Sequence, residues 1–252
     1  MNSSTNLKSM REYKFLLWIT LIFCIPFWSL AAKETPTVSS AEALHKLEDG
    51  NRRFVKGKNT FPDVGVERRG ETAKNGQQPF ATVISCSDSR LPVEIVFDQG
   101  IGDIFVIRVA GNVCNVDEIG SAEYGTDHLG TPVLVVLGHT KCGAVSAVVK
   151  GAELHGNLPA LLHGIIPAVE KAKNNHPDAK DDALVAAAIE ANVWQSIEDL
   201  FKKSSLIMKQ VQAGKLKIVG AIYDIEDGHV KWLGEHPEQA QWIKTKGNDL
   251  QK

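Results

Sequence analysis

Four short apolar runs constrain the fold of this chain more than any other feature. They lie at 79–85 (PFATVIS), 104–111 (IFVIRVAG), 132–139 (PVLVVLGH) and 217–224 (KIVGAIYD). Each is expected to be a strand. Because the runs are apolar almost throughout, both faces of the sheet should be buried, which is typical of a parallel sheet covered by helices. A fifth run, 229–233, follows an Asp-Gly turn and is expected to pair with the fourth.

Helical patterns separate these strands. An amphipathic helix is expected from Ser40, with Ser39 or Ser40 as its N-cap, and it would form an N-terminal helical arm. Residues 59–78 are polar and glycine-rich and are expected to be a surface loop. Further helices are expected at 119–129, 142–150, 158–174 and 183–213, the last with a break near Lys203–Ser204. The pattern predicts one α/β domain over 40–252, with a central, mostly parallel sheet flanked by helices.

Residues 1–31 have the pattern of a secretory signal peptide. A basic stretch precedes the apolar run 15–30, and small residues follow at Ser29 and Ala31, so that cleavage after Ala31 fits best. A retained anchor helix is the alternative, although Pro26 interrupts the run and its length is slightly short for a membrane span. The predicted destination is a bacterial periplasm or the exterior, and residues 32–39 would then be a polar leader.

The charge balance excludes some classes of partner. The chain has 28 Lys and Arg against 30 Asp and Glu, a formal net charge of −2. No basic field is therefore available to recruit nucleic acid, and no nucleic-acid partner is expected. A hydrophobic content of 43% is that of an ordinary globular protein rather than a multi-span membrane protein, so no membrane contact is expected after signal removal.

Three cysteines remain after the predicted cleavage, and two of them follow predicted strands. Cys86 begins Cys-Ser-Asp-Ser-Arg after the first strand, and His139-Thr140-Lys141-Cys142 ends the third. The carboxyl ends of parallel strands line the ligand crevice of such sheets. Two cysteines and a histidine suit zinc, and three protein ligands leave a fourth position open for catalysis. The remaining thiol, Cys114, is interpreted as a bystander.

The paired motifs Cys-x-Asp-x-Arg and His-x-x-Cys resemble those of the β-class carbonic anhydrases, and the similarity covers nearly the whole mature chain. The resemblance implies that Cys86, His139 and Cys142 bind one Zn²⁺ per chain and that Asp88 pairs with Arg90. The reaction it implies is the reversible hydration of carbon dioxide to bicarbonate and a proton by zinc-bound hydroxide.

The resemblance also implies a substrate pocket. Gln77 matches the family's pocket glutamine, Phe105 matches the phenylalanine that lines the pocket in the open-site subgroup, and Tyr124 matches the tyrosine that closes it across a dimer interface. Gln77 would donate to an oxygen of carbon dioxide as negative charge develops there. A homodimer or a higher even-numbered homo-oligomer is expected, because a neighbouring subunit would have to complete the pocket.

One position separates the family's subgroups. The bicarbonate-regulated subgroup carries a tryptophan three residues before the first zinc cysteine, and this chain has Val83 there, although Arg108 matches that subgroup's arginine. The chain is therefore assigned to the open-site, plant-like subgroup, in which Asp88 stays paired with Arg90.

Two alternatives stay open at the level of sequence. A hydrolase of carbon disulfide or carbonyl sulfide with the same fold would share this zinc site. A non-catalytic zinc or thiol–disulfide module would use Cys86 and Cys142, but Asp88 and Gln77 would then have no purpose.

Overall fold

The computed structural model describes residues 38–60 and 63–249, and a five-stranded sheet crosses this part of the chain. The strands are β1 (Ala81–Ser85), β2 (Ile104–Arg108), β3 (Val133–His139), β4 (Lys217–Tyr223) and β5 (Val230–Gly234). Their order in the sheet is β2-β1-β3-β4-β5. The first four strands are parallel to one another, and β5 is antiparallel to β4. Each predicted strand overlaps an observed one, so the mostly parallel α/β sheet is confirmed.

Helices flank this sheet. They are α1 (Ser40–Val55), α2 (Val66–Asn75), α3 (Val93–Val96), α4 (Val116–Glu123), α5 (Gly143–Val149), α6 (Leu158–Leu162), α7 (Ile166–Asn175), α8 (Asp181–Lys203), α9 (Ser205–Gln212) and α10 (Gln239–Asp249). The predicted break in the long helix is confirmed: Ser204 separates α8 from α9, and its Oγ accepts a hydrogen bond from the Ile207 N–H at 3.1 Å. The predicted helix 119–129 begins at Val116 and ends in a π-helical turn, Tyr124–His128.

The prediction of a loop over 59–78 was wrong over 66–75, where α2 forms. This helix buries none of its residues, so its sequence carries no apolar stripe to identify it. Polar contacts of Arg68 attach it instead. The guanidinium donates to the Ile101 carbonyl at 2.8 Å and to the Asp103 carboxylate at 3.1 Å.

Side chains of the central strands fill both faces of the sheet. β1 and β3 are buried at every position. Along β3, Val135 and Leu137 pack in one hydrophobic cluster, whereas Leu134 and Val136 pack in the other. This alternation between two cores explains why the strand sequence is apolar throughout.

The predicted N-terminal arm is helix α1. Ser39 caps it: its Oγ accepts from the Glu42 N–H at 3.2 Å, and the Glu42 carboxylate accepts from the Ser39 N–H at 2.9 Å. Asn51 attaches α1 to the start of β5, because its Oδ1 accepts from the Val230 N–H at 3.0 Å.

The segment predicted to be a signal peptide, 1–31, lies outside the described residues, as do positions 32–37 of the polar leader. Within the described ranges, none of the helices combines the length and the apolar character that crossing a bilayer requires.

Candidate metal centre

Two neighbouring strands bring three metal-binding side chains together. β1 ends at Ser85 and β3 ends at His139, and the two strands are parallel neighbours. Cys86 therefore follows β1 at the edge of the sheet where His139 lies. Cys142 comes after a tight turn through Lys141, whose φ of 56° is left-handed, and it stands at the start of α5.

The three side chains have the spacing of a metal site. The Sγ atoms of Cys86 and Cys142 are 4.0 Å apart, and these and a ring nitrogen of His139 all lie within 4.8 Å of one another. A tetrahedral zinc ion with Zn–S bonds of about 2.3 Å would hold two sulfurs about 3.8 Å apart. All three residues are buried. The predicted ligand set is therefore assembled within one chain.

The histidine is oriented for a metal. Its Nδ1 lies 2.9 Å from the Thr140 carbonyl oxygen, to which it donates, so Nε2 is left as the acceptor nitrogen. Nε2 of His139 is buried and has no hydrogen-bond partner among the described residues. A buried acceptor without a partner costs about 1–3 kcal/mol. A metal ion bonded to Nε2 would satisfy it, so the residues present fit zinc.

The two thiols influence each other's ionisation. The contact between the two sulfurs lowers the pKa of the Cys86 thiol, to which the Gly111 N–H also donates at 3.3 Å. The same contact, together with burial and the negative charge of Cys86, raises the pKa of Cys142. A divalent cation between the sulfurs would remove the repulsion and permit two thiolates.

Asp88 and Arg90 form the predicted pair. The Arg90 Nε and Nη2 atoms donate to the two carboxylate oxygens of Asp88 at 2.9 and 2.8 Å, and the Arg90 backbone N–H donates at 2.9 Å. The guanidinium holds the pKa of the Asp88 carboxyl well below its usual range. Oδ2 of Asp88 lies 3.8 Å from Nε2 of His139. Asp88 is thus an ionised hydrogen-bond acceptor beside the metal position.

Arg108 has a role that the sequence did not reveal. Its guanidinium donates to the backbone carbonyls of Cys86 and Asp88 at 3.2 and 2.7 Å. It therefore fixes the turn that carries the first ligand and the carboxylate. The sequence singled out Arg108 only by its match to the arginine of the bicarbonate-regulated subgroup, and its place beside Ser85 comes from the strand register.

The predicted substrate residues lie at the other end of the sheet in the same chain. Gln77 precedes β1 and is exposed, and Phe105 lies opposite Thr82 in the β1–β2 register. The Tyr124 ring centroid is 5.8 Å from that of Phe105. Since Cys86 comes four residues after Thr82, at about 3.3 Å per residue it is about 13 Å farther along the strand. One chain therefore brings Phe105 and Tyr124 together, but not to its own metal ligands.

The third thiol, Cys114, lies outside the metal-binding group. It is buried in the hydrophobic cluster that contains Ile84 and Leu134, and burial raises the pKa of its thiol. A buried thiol of raised pKa is inert, in agreement with its interpretation as a bystander.

Known proteins are similar to this chain in sequence and in fold. Residues 81–230 match the family model described as carbonic anhydrase. Carbonic anhydrase 2 of Mycobacterium tuberculosis is 35% identical over 211 residues, which cover 79% of this chain and 99% of that protein.

Two solved structures of fungal β-carbonic anhydrases have the same fold. That of CafA from Aspergillus fumigatus is 26% identical, covers 83% of this chain and 97% of its own, and gives a TM-score of 0.65. A tetrameric enzyme from Sordaria macrospora is 24% identical, covers 76% of this chain and 96% of its own, and gives a TM-score of 0.59. Since the family model spans both strand ends that carry the Cys–His–Cys group, the chain belongs to the β-class carbonic anhydrases, zinc enzymes that hydrate carbon dioxide to bicarbonate.

Proposed function

We propose that this enzyme hydrates carbon dioxide in the open-site manner, with Asp88 paired to Arg90 throughout the catalytic cycle. The observation that carries the proposal is the two-pronged contact between the Arg90 guanidinium and the Asp88 carboxylate, at 2.9 and 2.8 Å. Cys86, His139 and Cys142 would hold the zinc ion. The chemistry that bound zinc supplies is a pKa of about 7 for a coordinated water molecule.

The protein's own groups then orient the reactants. Asp88 accepts a hydrogen bond beside the metal position, and Arg90 keeps its carboxylate ionised and turned in that direction. Arg108 holds the backbone that carries both Cys86 and Asp88. Gln77 would donate to a carbon dioxide oxygen, and Phe105 and Tyr124 would supply an apolar wall for this uncharged substrate.

Position 83 supports the open-site assignment. Val83 is fully buried in β1 between Val106 and Val135 of the neighbouring strands and has no side-chain donor. Bicarbonate regulation needs a ligand that prefers a closed state, and a ligand shifts a population only through such a difference in affinity. An indole that would bind the anion is missing at this position.

Carbon dioxide hydration measured against pH, with and without added bicarbonate, tests this assignment. The rate of hydration should rise smoothly with pH and show one apparent ionisation. Added bicarbonate should affect this rate only as the reaction product does. A steep, multi-proton loss of activity on acidification that bicarbonate deepens would contradict the open-site assignment.

We also propose that each active site is shared between two copies of the chain. Three facts support this: Gln77, Phe105 and Tyr124 lie far from the metal ligands of their own chain, Tyr124 is 46% exposed, and β2 lies at the edge of the sheet. The Sordaria macrospora enzyme is tetrameric. Sedimentation equilibrium should find an even-numbered assembly, whereas a monomer of full activity would overturn the proposal.

We propose, finally, that the chain is exported and that its first 31 residues are removed. The basic stretch, the apolar run 15–30 and the small residues Ser29 and Ala31 support this. Intact-mass measurement of periplasmic protein should give a chain that starts near Ala32 or Lys33. Periplasmic material that retains residues 1–31 would contradict cleavage.

A further inference from the structure

Two of the three metal ligands lie on one short segment, residues 139–142, here called the metal loop. Lys141 has a left-handed φ of 56° within it, directly before Cys142. This conformation is unfavourable for a residue with a Cβ. Contacts from outside the loop must therefore hold it, because the ligand Cys142 depends on this turn for its position.

The outside contacts come from Tyr223 at the end of β4 and from residues 224–229, here called the β4–β5 turn. The Thr140 N–H donates to the Tyr223 carbonyl at 2.9 Å, one step beyond the last β3–β4 pair. The Thr140 hydroxyl accepts from the Ile225 N–H at 3.1 Å and donates to Oδ1 of Asp224 at 3.4 Å. That Asp224 oxygen also accepts from the Glu226 N–H at 2.8 Å. The hydroxyl thus joins a backbone donor and a carboxylate of the β4–β5 turn to the metal loop.

Lys141 extends these contacts in two directions. Its ammonium group pairs with the Glu226 carboxylate, and its backbone carbonyl accepts from Arg90 at 3.4 Å. Arg90 in turn pairs with Asp88. The β4–β5 turn, the metal loop and the Asp88–Arg90 pair therefore form one continuous set of contacts.

We propose that the β4–β5 turn is a positioning element for the metal centre, and that the Thr140 hydroxyl between Asp224 and Ile225 is its principal contact. The Lys141–Glu226 pair is the weaker contact, since the two side chains are 60% and 68% exposed. Thr140, Asp224 and Ile225 are each half-buried, where a lost hydrogen bond costs more. This proposal rests on zinc binding by the Cys–His–Cys group.

Thr140→Val tests the proposal, because valine keeps the shape of threonine and removes the hydroxyl. Zinc release from the holoenzyme to a chelator should be about fivefold faster, because the variant loses one partly buried hydrogen bond that holds the loop carrying two of the ligands. The visible spectrum of the cobalt-substituted protein should also change, because it reports the thiolate geometry. Thr140→Ser restores the hydroxyl, and both readouts should return close to those of the wild type.

A matched control uses a second ion pair at the same cleft. Lys231 and Glu190, 3.0 Å apart, line that cleft together with Thr140 and Asp224. Glu190→Gln removes an ion pair there without removing the Thr140 hydroxyl contact, so its zinc release and cobalt spectrum should match those of the wild type. Asp224→Ala repeats the test from the other partner if Thr140→Val does not fold, and it should also release zinc faster.

Two results would overturn the proposal while zinc binding by the three ligands still stands. The first is a folded Thr140→Val variant with the zinc release rate and cobalt spectrum of the wild type. The second is a Thr140→Ser variant as impaired as Thr140→Val, which would assign the effect to the threonine methyl group. If zinc binding itself were misassigned, the wild-type protein would bind no stoichiometric zinc, so the two failures are distinguishable.

Discussion

The predicted metal ligands and the predicted substrate residues lie towards opposite ends of the sheet, and they differ in how far one chain completes each group. Cys86, His139 and Cys142 are buried and lie within bonding range of one ion. Gln77 is exposed, and Tyr124 is 46% exposed although its ring lies beside Phe105. We infer from this difference that the metal site is organised by the fold of the chain, whereas the substrate pocket is organised by assembly.

The difference follows from the topology of the sheet. Because β1 and β3 are parallel neighbours, the residues that follow them lie at the same end of the sheet. Ligands that are far apart in sequence therefore meet there. Residues at the start of those strands lie at the opposite end of the sheet. A second copy related by a two-fold axis would bring the Gln77 end of one chain to the Cys86 end of the other.

Loss of a metal ligand should have the largest effect. Cys142→Ser should lose both zinc and activity, because a serine hydroxyl is a poor replacement for a thiolate ligand. Metal analysis of the purified protein measures the zinc content, and Cys114→Ala, at a cysteine outside the group, should retain one zinc per chain. Full zinc occupancy in Cys142→Ser would contradict the ligand assignment.

Replacement of a predicted substrate residue should lower activity without lowering the zinc content. Gln77→Ala should lower kcat/KM by about 10²–10³, the cost of removing a donor to a developing negative charge. Its zinc content should remain that of the wild type, since Gln77 lies at the other end of β1. Gln78→Ala changes the adjacent exposed glutamine and should be nearly neutral. Equal losses of kcat/KM in Gln77→Ala and Gln78→Ala would contradict a specific role for Gln77 in the reaction.

Two glycines test the packing of the pocket wall. A Cβ built at Gly125 would clash with Oγ1 of Thr82 and lie 2.9 Å from Cδ1 of Phe105, whereas one at Gly120 meets no neighbour within 4 Å. Gly125→Ala should therefore cost about 1–3 kcal/mol of unfolding free energy. It should also lower kcat/KM several-fold, because the Phe105 ring of the predicted pocket must shift. Gly120→Ala lies in α4 and should stabilise the protein by up to about 1 kcal/mol. Denaturant unfolding compares them, and equal stabilities would show that Gly125 is not closely packed.

Low pH should lower the free energy of unfolding through a third region, the surroundings of His236, and this effect should be smaller. His236 is buried beside Trp194 and Trp242, and its Nδ1 accepts from the Glu238 N–H at 3.0 Å. Burial and the nearby Lys171 lower the pKa of His236, outweighing the opposite effect of Glu238 and Glu198. The folded protein therefore favours neutral histidine, and the stability present above an unfolded pKa of about 6.5 is lost as pH falls through the folded pKa.

Thermal unfolding of the wild type and of His236→Gln, at about pH 8 and about pH 5.5, measures this effect. The Tm of the wild type should fall more on acidification than that of the variant, and zinc content at about pH 8 should be the same in both. An identical fall in Tm would show that other groups cause the acid sensitivity.

The sheet and the Cys–His–Cys group could be predicted from the sequence because both depend on local patterns. Apolar runs identify the strands, and their parallel arrangement brings Cys86 to His139. Helix α2 was missed because it buries no residue and depends on the polar contacts of Arg68. The contacts of Arg108 to two backbone carbonyls leave no repeating pattern in the sequence. The separation of Phe105 from Cys86 needed the register of β1 against β2, which only the structure supplies.

The most direct test of the shared site is complementation between two inactive chains. One chain carries Cys142→Ser, which disables its metal ligands. The other carries Gln77→Ala, which disables its substrate residues. Each alone should have little activity, but mixed dimers should contain one intact site. Random mixing should therefore restore about a quarter of the wild-type activity per site.

A second mixture provides the control. A chain with both substitutions, mixed with the wild type, forms dimers in which neither site is intact, so activity should fall below simple dilution. If Gln77 instead acted on the metal site of its own chain, Cys142→Ser mixed with Gln77→Ala would show no recovery, and that result would contradict the account.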